Sequence, residues 1–261
     1  METGTPNVLF EQRGPVAWVT FNRPEARNAM TFAMYDALVR VCAHVTATPD
    51  IRVLVLTGAG KKAFVAGTDI SQFTSFKDAQ DALDYEARIG AVITALETLE
   101  RPTIAAIRGF VVGGGAALAM VCDIRIATPD SRFGFPIART LGNALGMGAY
   151  ARLIDLIGPA RTKEMIFRAR LMDAHEAHTV GLFSELVEPE SLHQHVQEVA
   201  EQIAGNAPLT IQITKESVAR ILAHRRPPHS SDLIVKAYTS DDFHEGVSAF
   251  LEKRKPNWQG R

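Results

Sequence analysis

Residues 107–127 read IRGFVVGGGAALAMVCDIRIA, and this stretch decides the fold class. The run 103–107 (TIAAI) that leads into it and the run 124–127 (IRIA) that ends it are short and aliphatic, which suits strands buried on both faces. Gly109–Gly115 turn the chain into a helix of small apolar residues between the two runs. A strand, a glycine-rich turn, a helix and a second strand in such close succession predict an α/β fold.

The same order of elements precedes this stretch. In chain order we first predict a hairpin at Val8–Gln12 and Val16–Phe21, followed by a helix that Thr31 caps. A buried strand at 51–57 and a long helix at 77–99 come next. On the long helix we expect Leu83, Ile89, Ile93 and Leu96 to face inward. Repetition of the pattern favours stacked ββα units over a single βαβ unit.

The C-terminal part of the chain is predicted to be mainly helical. Beyond Met147 we expect helices, with one last strand at 182–187 and a surface loop at His224–Ser231 that carries Arg225 and Arg226. Amphipathic helices at the end of a chain often pack on neighbouring subunits. We therefore divide the chain into a core at 1–200 and a C-terminal helical oligomerisation region at 201–261.

Composition excludes several classes of protein. The 261 residues carry 28 Lys and Arg against 29 Asp and Glu, a balance that argues against a nucleic-acid partner. Two cysteines exclude a disulfide framework and a cysteine-rich metal site. The longest uncharged apolar stretch, Gly109–Cys122, is shorter than the roughly 18 residues of a membrane span. With a polar N-terminus that lacks a signal pattern, these features predict a cytoplasmic protein without a membrane partner.

Two weaker motifs suggest other functions. Gly58–Ala63 (GAGKKA) matches the dinucleotide fingerprint, but residues 64–69 do not resemble the start of a helix, so NAD(P)H binding is a minor alternative. The histidine pairs His175/His178 and His193/His195 have spacings that suit a metal, although solvated helix faces explain them better. We expect no metal.

Two glycine-containing turns form the strongest candidate site. Gly67-Thr68-Asp69 and Gly113–Gly115 each follow a buried aliphatic run. Glycine lets a backbone approach a ligand closely, and a helix N-terminus presents free N–H groups. The N–H groups of Thr68 and Gly114 can therefore converge on one oxygen as an oxyanion hole. Tight packing of helix on strand explains the same glycines, and the residues alone leave both interpretations open.

Four blocks of sequence, in order and covering nearly the whole chain, resemble the crotonase superfamily, also called the enoyl-CoA hydratase/isomerase family. The blocks are residues 22–29 (NRPEARNA), 63–70 (AFVAGTDI), 107–127 and 249–254 (AFLEKR). The resemblance implies a spiral of ββα units with a C-terminal helical trimerisation region, assembled as a homotrimer or a dimer of trimers. It also implies an acyl-CoA substrate in fatty acid metabolism, with coenzyme A as part of the substrate and no separate cofactor.

The resemblance assigns roles to individual positions. Thr68 and Gly114 would donate their backbone N–H groups to the thioester carbonyl. Contacts to the coenzyme A moiety would come from both ends of the chain, at Ala26, Arg27, Asp69, Ile70, Phe250 and Lys253. For Asp69, capping of its own turn is an equal alternative.

Both catalytic carboxylates of the family's hydratases are absent. Ala117 occupies the first position, and Ile137, or Ala138 if the alignment slips by one, occupies the second. Gly146 stands where related dehalogenases carry an Asp nucleophile. An oxyanion hole without these carboxylates should polarise a thioester yet hydrate it slowly, unless another group supplies about 10²–10⁴ of acid–base catalysis.

We expect the residue that replaces the missing carboxylates to lie on the long helix predicted at 77–99. Glu86 is our first choice as base, with Tyr85 and Arg88 beside it, and Arg139 is a candidate to hold an acyl carboxylate or carbonyl. Ordinary helix and loop charges explain the same residues. We predict an acyl-CoA thioester enzyme of the hydratase/isomerase type, in the lyase class. The alternatives are a non-catalytic acyl-CoA-binding protein or another crotonase reaction: isomerisation, hydrolysis or decarboxylation.

Overall fold

A computed structural model describes residues 1–223 and 231–261. The loop predicted at His224–Ser231, with Arg225 and Arg226, lies outside the described residues except for Ser231. That serine begins a helix.

The described strands form one sheet of six strands and one of four. They are β1 (Val8–Arg13), β2 (Val16–Phe21), β3 (Val53–Gly58), β4 (Ala63–Val65), β5 (Thr103–Ile107), β6 (Phe110–Val112), β7 (Ile124–Ala127), β8 (Arg132–Gly134), β9 (Met172–Asp173) and β10 (Glu185–Leu186). The larger sheet has the order β1-β2-β3-β5-β7-β10 and the smaller one β4-β6-β8-β9. Only the β1–β2 hairpin and the β8–β9 pair are antiparallel among the described strand pairs.

The described helices cover the sheets and extend to the C-terminus. They are α1 (Phe32–Ala47), α2 (Ala79–Glu97), α3 (Gly114–Val121), α4 (Ile137–Thr140), α5 (Met147–Phe167), α6 (Ala174–Thr179), α7 (Leu192–Ala204), α8 (Pro208–Ala223), α9 (Ser231–Tyr238) and α10 (Asp241–Leu251). Two 3₁₀ turns, Pro24–Ala26 and Ile70–Ser75, lie near the candidate site. As predicted, the Thr31 side chain caps α1 by accepting the Met34 N–H at 3.4 Å.

Stacked ββα units explain the two sheets, as the sequence predicts. Each of the pairs β3/β4, β5/β6 and β7/β8 places its first strand in the large sheet and its second in the small one. The chain crosses between the sheets at tight turns, for example at Gly109 (φ 71°), where a Cβ atom would lie 2.2 Å from the Lys62 carbonyl oxygen. Only glycine fits there.

Some local predictions were wrong. The segment 109–115, predicted as a turn, contains the strand β6. On α2, Leu96 is buried as predicted, and Ile89 and Ile93 are half-buried and pack against the core. Leu83 is half-buried, and the buried positions of α2 also include Ala82 and Val92. Ile89 in addition lines a cavity that one face of α2 borders. Residues 58–63 join two strands and open no helix, so the dinucleotide motif lacks its structural context.

The C-terminal helices pack back onto the core of the same chain. Ile234, Tyr238, Phe243 and Val247 form an apolar cluster with Phe73 and Leu141. Among the described helices α8 differs, because it has no buried residue. The division at residue 200 and the trimerisation role of this region stay predictions.

Candidate active site

A cavity of about 800 Å³ lies between α2, the N-terminus of α3, α4 and the C-terminal helices. Nearly all the predicted site residues line it: Ala26, Arg27, Thr68, Asp69, Ile70, Glu86, Gly114, Phe250 and Lys253. Arg139 is exposed and lies outside the cavity wall. Arg88 is also exposed and forms an ion pair with Asp36 at 2.9 Å. The structure therefore does not bring these two arginines to the site.

Thr68 is held by an isolated bridge to Met30. The Met30 N–H donates to the Gly67 carbonyl at 2.8 Å, and the Asp69 N–H donates to the Met30 carbonyl at 2.9 Å. These two bonds flank Thr68, whose own N–H takes no part in them. The Thr68 side chain is 8% exposed, and its backbone borders the cavity.

Gly114 begins α3 directly beside this segment. The preceding Gly113 has φ 54° and ψ −118°, a conformation that favours glycine. A Cβ atom on Gly114 would lie 3.6 Å from the Thr68 nitrogen and 2.3 Å from Tyr35 Oη. The first N–H groups of a helix have no intrahelical acceptor. The two turns thus place the peptide groups of Thr68 and Gly114 side by side at the cavity wall.

The two explanations of the glycines apply to different residues. A Cβ atom on Gly115 would lie 2.1 Å from the Val65 carbonyl oxygen, so Gly115 allows the helix to pack on the strand. Gly114 instead leaves room for Thr68 and Tyr35. The packing interpretation therefore explains Gly115, and Gly114 borders the candidate site.

Glu86 projects from α2 into the cavity. Burial raises the pKa of its carboxyl group to about 7, although a hydrogen bond from Tyr238 Oη to Oε1 at 3.3 Å acts in the opposite direction. Asn143 Nδ2 donates to the same Tyr238 hydroxyl at 3.0 Å. Oε2 lies 3.0 Å from the position of a Cβ on Gly146, so glycine leaves space for the carboxylate. A carboxyl group with this pKa can both give and take a proton near neutral pH.

The other carboxylates of the cavity wall are placed differently. Glu25 is exposed. Asp69 accepts a hydrogen bond from the Ser71 N–H at 3.2 Å and pairs with Arg23 at 3.0 Å. Burial acts to raise the pKa of Asp69, but the hydrogen bonds from Ser71 and Arg23 outweigh it and lower the pKa. These contacts fit the turn-capping interpretation, and a contact between Asp69 and substrate stays a prediction.

The positions of the two missing carboxylates also face the cavity. Ala117 and Ile137 both line it, whereas Ala138 is exposed and lies outside the wall. The structure therefore favours Ile137 over the shifted position. Among the described residues that line the cavity, Glu86 is the carboxylate whose pKa is raised by burial.

The sequence analysis missed Tyr35, Tyr238 and Asn143. Tyr35 Oη lies 2.9 Å from Thr68 Oγ1, as does the hydroxyl of Tyr85, which the sequence analysis named beside Glu86. Tyr238 contacts Glu86 and accepts a hydrogen bond from Asn143. Tyr35 lies on the inner face of α1 between Met34 and Leu38, so its spacing is that of a core residue. Tyr238 and Asn143 reach the site only through packing of distant segments. No local signal identifies these three.

A family model described as enoyl-CoA hydratase/isomerase matches residues 11–261. The chain belongs to this family. The short-chain-enoyl-CoA hydratase of Clostridium acetobutylicum is 36% identical over 252 residues, which cover 95% of this chain and 96% of that protein. The (E)-benzylidenesuccinyl-CoA hydratase of Thauera aromatica is 36% identical over 258 residues, covering 97% and 99%. The predicted membership of the family and the enzyme class are confirmed.

Solved structures of the enoyl-CoA hydratase/isomerase family share the fold. A methylmalonyl-CoA decarboxylase in complex with 2-nitronate-propionyl-CoA matches with a TM-score of 0.88 and 30% identity over 98% of this chain and 99% of that one. An enoyl-CoA hydratase/carnithine racemase from Magnetospirillum magneticum matches with a TM-score of 0.80 and 32% identity over 98% and 97%. The predicted crotonase-like α/β fold is therefore confirmed.

Two further properties concern residues 1–223 and 231–261. None of their helices combines the length and the hydropathy that crossing a bilayer requires. In the same ranges no three His, Cys, Asp or Glu side chains are grouped so that they could hold a metal ion. His178 Nδ1 instead lies 3.1 Å from the Phe183 carbonyl oxygen, and His195 Nε2 lies 2.6 Å from Glu185.

Proposed function

We propose that this enzyme stabilises the enolate of an acyl-CoA thioester between the N–H groups of Thr68 and Gly114, and that Glu86 transfers the proton. The observation that carries the proposal is the close approach of the two turns, with 3.6 Å from the Thr68 nitrogen to the Cβ position of Gly114, in a cavity that also holds Glu86. Hydration of an enoyl-CoA is the first reaction to test.

In this reaction one carboxylate performs both proton steps. Glu86 takes a proton from water as the oxygen of the water bonds to the β-carbon. The π electrons of the double bond move to the thioester oxygen, and the resulting enolate receives the same proton at its α-carbon. Each oxyanion donor is worth roughly 10²–10³ in rate, and a positioned acid–base group about 10²–10⁴. With the same groups, removal of an α-proton and its return to the γ-carbon would isomerise the double bond.

The coenzyme A moiety would lie at the cavity mouth. Arg27 and Lys253 supply positive charge there, and the Arg27 guanidinium lies 5.4 Å from the centre of the Phe110 ring. Cationic side chains bind phosphate oxygens through charge-assisted hydrogen bonds. Ala26, Ile70 and Phe250 would provide the apolar contacts.

The assembly we propose is a homotrimer or a dimer of trimers. Helix α8 supports this assembly, because it exposes Leu209, Ile213, Val218 and Ile221. Exposed apolar clusters of this kind often mark protein–protein contacts. We further propose a cytoplasmic role in fatty acid metabolism, without a nucleic-acid or membrane partner and without a separate cofactor.

The test is turnover of crotonyl-CoA and longer enoyl-CoAs by the full chain and by Glu86→Gln. We expect hydration by the parent enzyme and a loss of about 10²–10⁴ in kcat in the variant. Asp84→Asn is the matched control, because Asp84 lies on the exposed face of the same helix and accepts a hydrogen bond from Gln80. Unchanged activity in Glu86→Gln would remove the assigned base. Tight binding of acyl-CoAs without any turnover would select the non-catalytic binding protein instead.

Decarboxylation is a second candidate, and the methylmalonyl-CoA decarboxylase with a TM-score of 0.88 favours it. Breaking the bond from the α-carbon to the carboxylate releases CO₂ and leaves its electrons on the thioester oxygen. The reaction then needs one proton at the α-carbon and no activated water, which suits a site with Ala117 and Ile137 in place of two carboxylates. Release of CO₂ from methylmalonyl-CoA, with crotonyl-CoA unchanged, would select this reaction.

A further inference from the structure

We propose that Tyr85 is a third hydrogen-bond donor to the thioester oxygen and that Tyr35, acting through the Thr68 hydroxyl, is the positioning residue that orients it. The proposal rests on the proposed oxyanion hole and adds a side-chain donor to its two backbone donors.

The basis is a chain of three hydroxyl groups from three segments. Tyr35 on α1 and Tyr85 on α2 each approach Thr68 Oγ1 to 2.9 Å. Three hydroxyls carry three protons, and the two hydrogen bonds between them use two. One proton is therefore left to donate elsewhere.

Burial decides which hydroxyl keeps the free proton. Tyr35 is 1% exposed, and its hydroxyl is enclosed against Gly114. A buried donor without an acceptor is costly, so Tyr35 donates to Thr68. Thr68 is buried, whereas Tyr85 is half-buried and lines the cavity, so we assign Thr68 as the donor to Tyr85. In this order the free proton is that of Tyr85, and it can point into the cavity.

The position of Tyr85 suits a contact with the thioester oxygen. Thr68 Oγ1 lies 3.1 Å, and Thr68 N 3.6 Å, from the same point beside Gly114, and Tyr85 Oη lies one 2.9 Å hydrogen bond beyond Thr68 Oγ1. Its ring packs edge-on against Phe73, with 5.0 Å between ring centres, and lies tilted against the Tyr238 ring at 6.0 Å. A donor fixed in this way stabilises developing negative charge without reorganising. Burial also raises the pKa of Tyr85, which keeps its hydroxyl protonated.

The experiment measures carbonyl polarisation separately from turnover. The probe is a chromophoric aryl-enoyl-CoA, whose absorption moves to longer wavelength when its thioester carbonyl is polarised. We expect a red shift on binding to the parent enzyme and a smaller shift in Tyr85→Phe, with kcat for the turned-over substrate about 10²-fold lower and KM little changed. Tyr35→Phe should reduce both quantities less, because Thr68 can still donate to Tyr85.

Two further sets of variants control for structural damage. Thr68→Val keeps the backbone N–H but removes the hydroxyl that orients Tyr85, so it should reduce the shift, although by less than Tyr85→Phe does, and Thr68→Ser should restore it. Tyr150→Phe removes a phenol that lies outside the cavity wall and is hydrogen-bonded to the backbone of Leu145, so it should match the parent enzyme. If Tyr85→Phe does not fold, the valine and serine pair at Thr68 carries the test.

The outcomes separate this proposal from the proposed reaction. A full red shift and full kcat in Tyr85→Phe would overturn the proposal that Tyr85 is a third donor. An equal loss of red shift and kcat in Tyr150→Phe would overturn it as well. A red shift in the parent enzyme that Tyr85→Phe reduces, with no turnover of any acyl-CoA, would refute the catalysis but leave this inference standing. Absence of any shift in the parent enzyme would overturn both.

Discussion

Replacement of Glu86 by glutamine should stabilise the protein at alkaline pH while it removes activity. The folded protein holds this carboxyl at a pKa of about 7, against an ordinary value of 4.5, chiefly because burial disfavours the charged form. Between these two pH values the folded chain therefore binds more protons than the unfolded chain. The free energy of unfolding falls as pH rises through this window and levels off above pH 7.

The magnitude follows from the shift in pKa. A shift from 4.5 to about 7 corresponds to about 3 kcal/mol at about 1.4 kcal/mol per pH unit. Glutamine does not titrate, so Glu86→Gln should lack this loss. The difference in stability between the variant and the parent enzyme should be small at pH 4.5 and grow toward about 3 kcal/mol at pH 8.

Urea denaturation at pH 4.5, 6 and 8, at one protein concentration, measures this difference. Asp84→Asn is the control, because Asp84 carries an exposed carboxylate on the same helix. A stability difference between Glu86→Gln and the parent enzyme that does not change with pH would refute the claim that burial raises the pKa of Glu86. A gain in stability together with lost turnover is the trade-off expected of a functional group held in an unfavourable environment.

Three other variants test separate parts of the site. Gly114→Ala should lower kcat by about 10²-fold or more, because its Cβ would lie 2.3 Å from Tyr35 Oη and push the two turns apart. Steady-state kinetics measure this change, with Gly90→Ala as the control because the space beside Gly90 is open. Lys253→Ala should raise KM for acyl-CoA and leave kcat unchanged, since a contact at the cavity mouth acts equally on substrate and transition state; binding calorimetry and kinetics check it. Asp69→Asn should cost about 0.5–1 kcal/mol in chemical denaturation, because it weakens the 3.0 Å ion pair with Arg23.

Each of these three predictions has a result that would contradict it. Full activity in Gly114→Ala would show that no reacting group needs the space beside Thr68. A fall in kcat without a change in KM for Lys253→Ala would place that residue in the reaction rather than at the mouth. Loss of turnover in Asp69→Asn at unchanged stability would favour a substrate contact over the turn cap.

The architecture and the backbone part of the site could be predicted from the sequence because both depend on local patterns. Short aliphatic runs mark the buried strands, and the glycines at Gly67 and Gly113–Gly115 mark close approaches of the backbone. The glycines that would free a peptide N–H are visible in the sequence. Thr68 and Gly114 could therefore be singled out, and the structure places them side by side at the cavity wall. Their role as donors stays a prediction.

The side-chain part of the site could be predicted less well because it depends on tertiary packing. The Tyr238 hydroxyl contacts Glu86 although 152 positions of the sequence separate the two residues, and the helical spacing of Tyr238 is that of an ordinary core residue. Ile89 and Ile93 pack against the core as predicted but are only half-buried, and Ile89 also lines the cavity beside α2. Arg139 was expected at the pocket because it adjoins the right segment, yet its helical turn exposes it.

The most direct test of the oxyanion hole is a crystal structure of the full chain with an acyl-CoA ester. The thioester oxygen should lie within about 2.7–3.1 Å of the backbone nitrogens of both Thr68 and Gly114, with the Glu86 carboxylate facing the α-carbon. A thioester oxygen bound elsewhere in the cavity, out of reach of either nitrogen, would contradict the account.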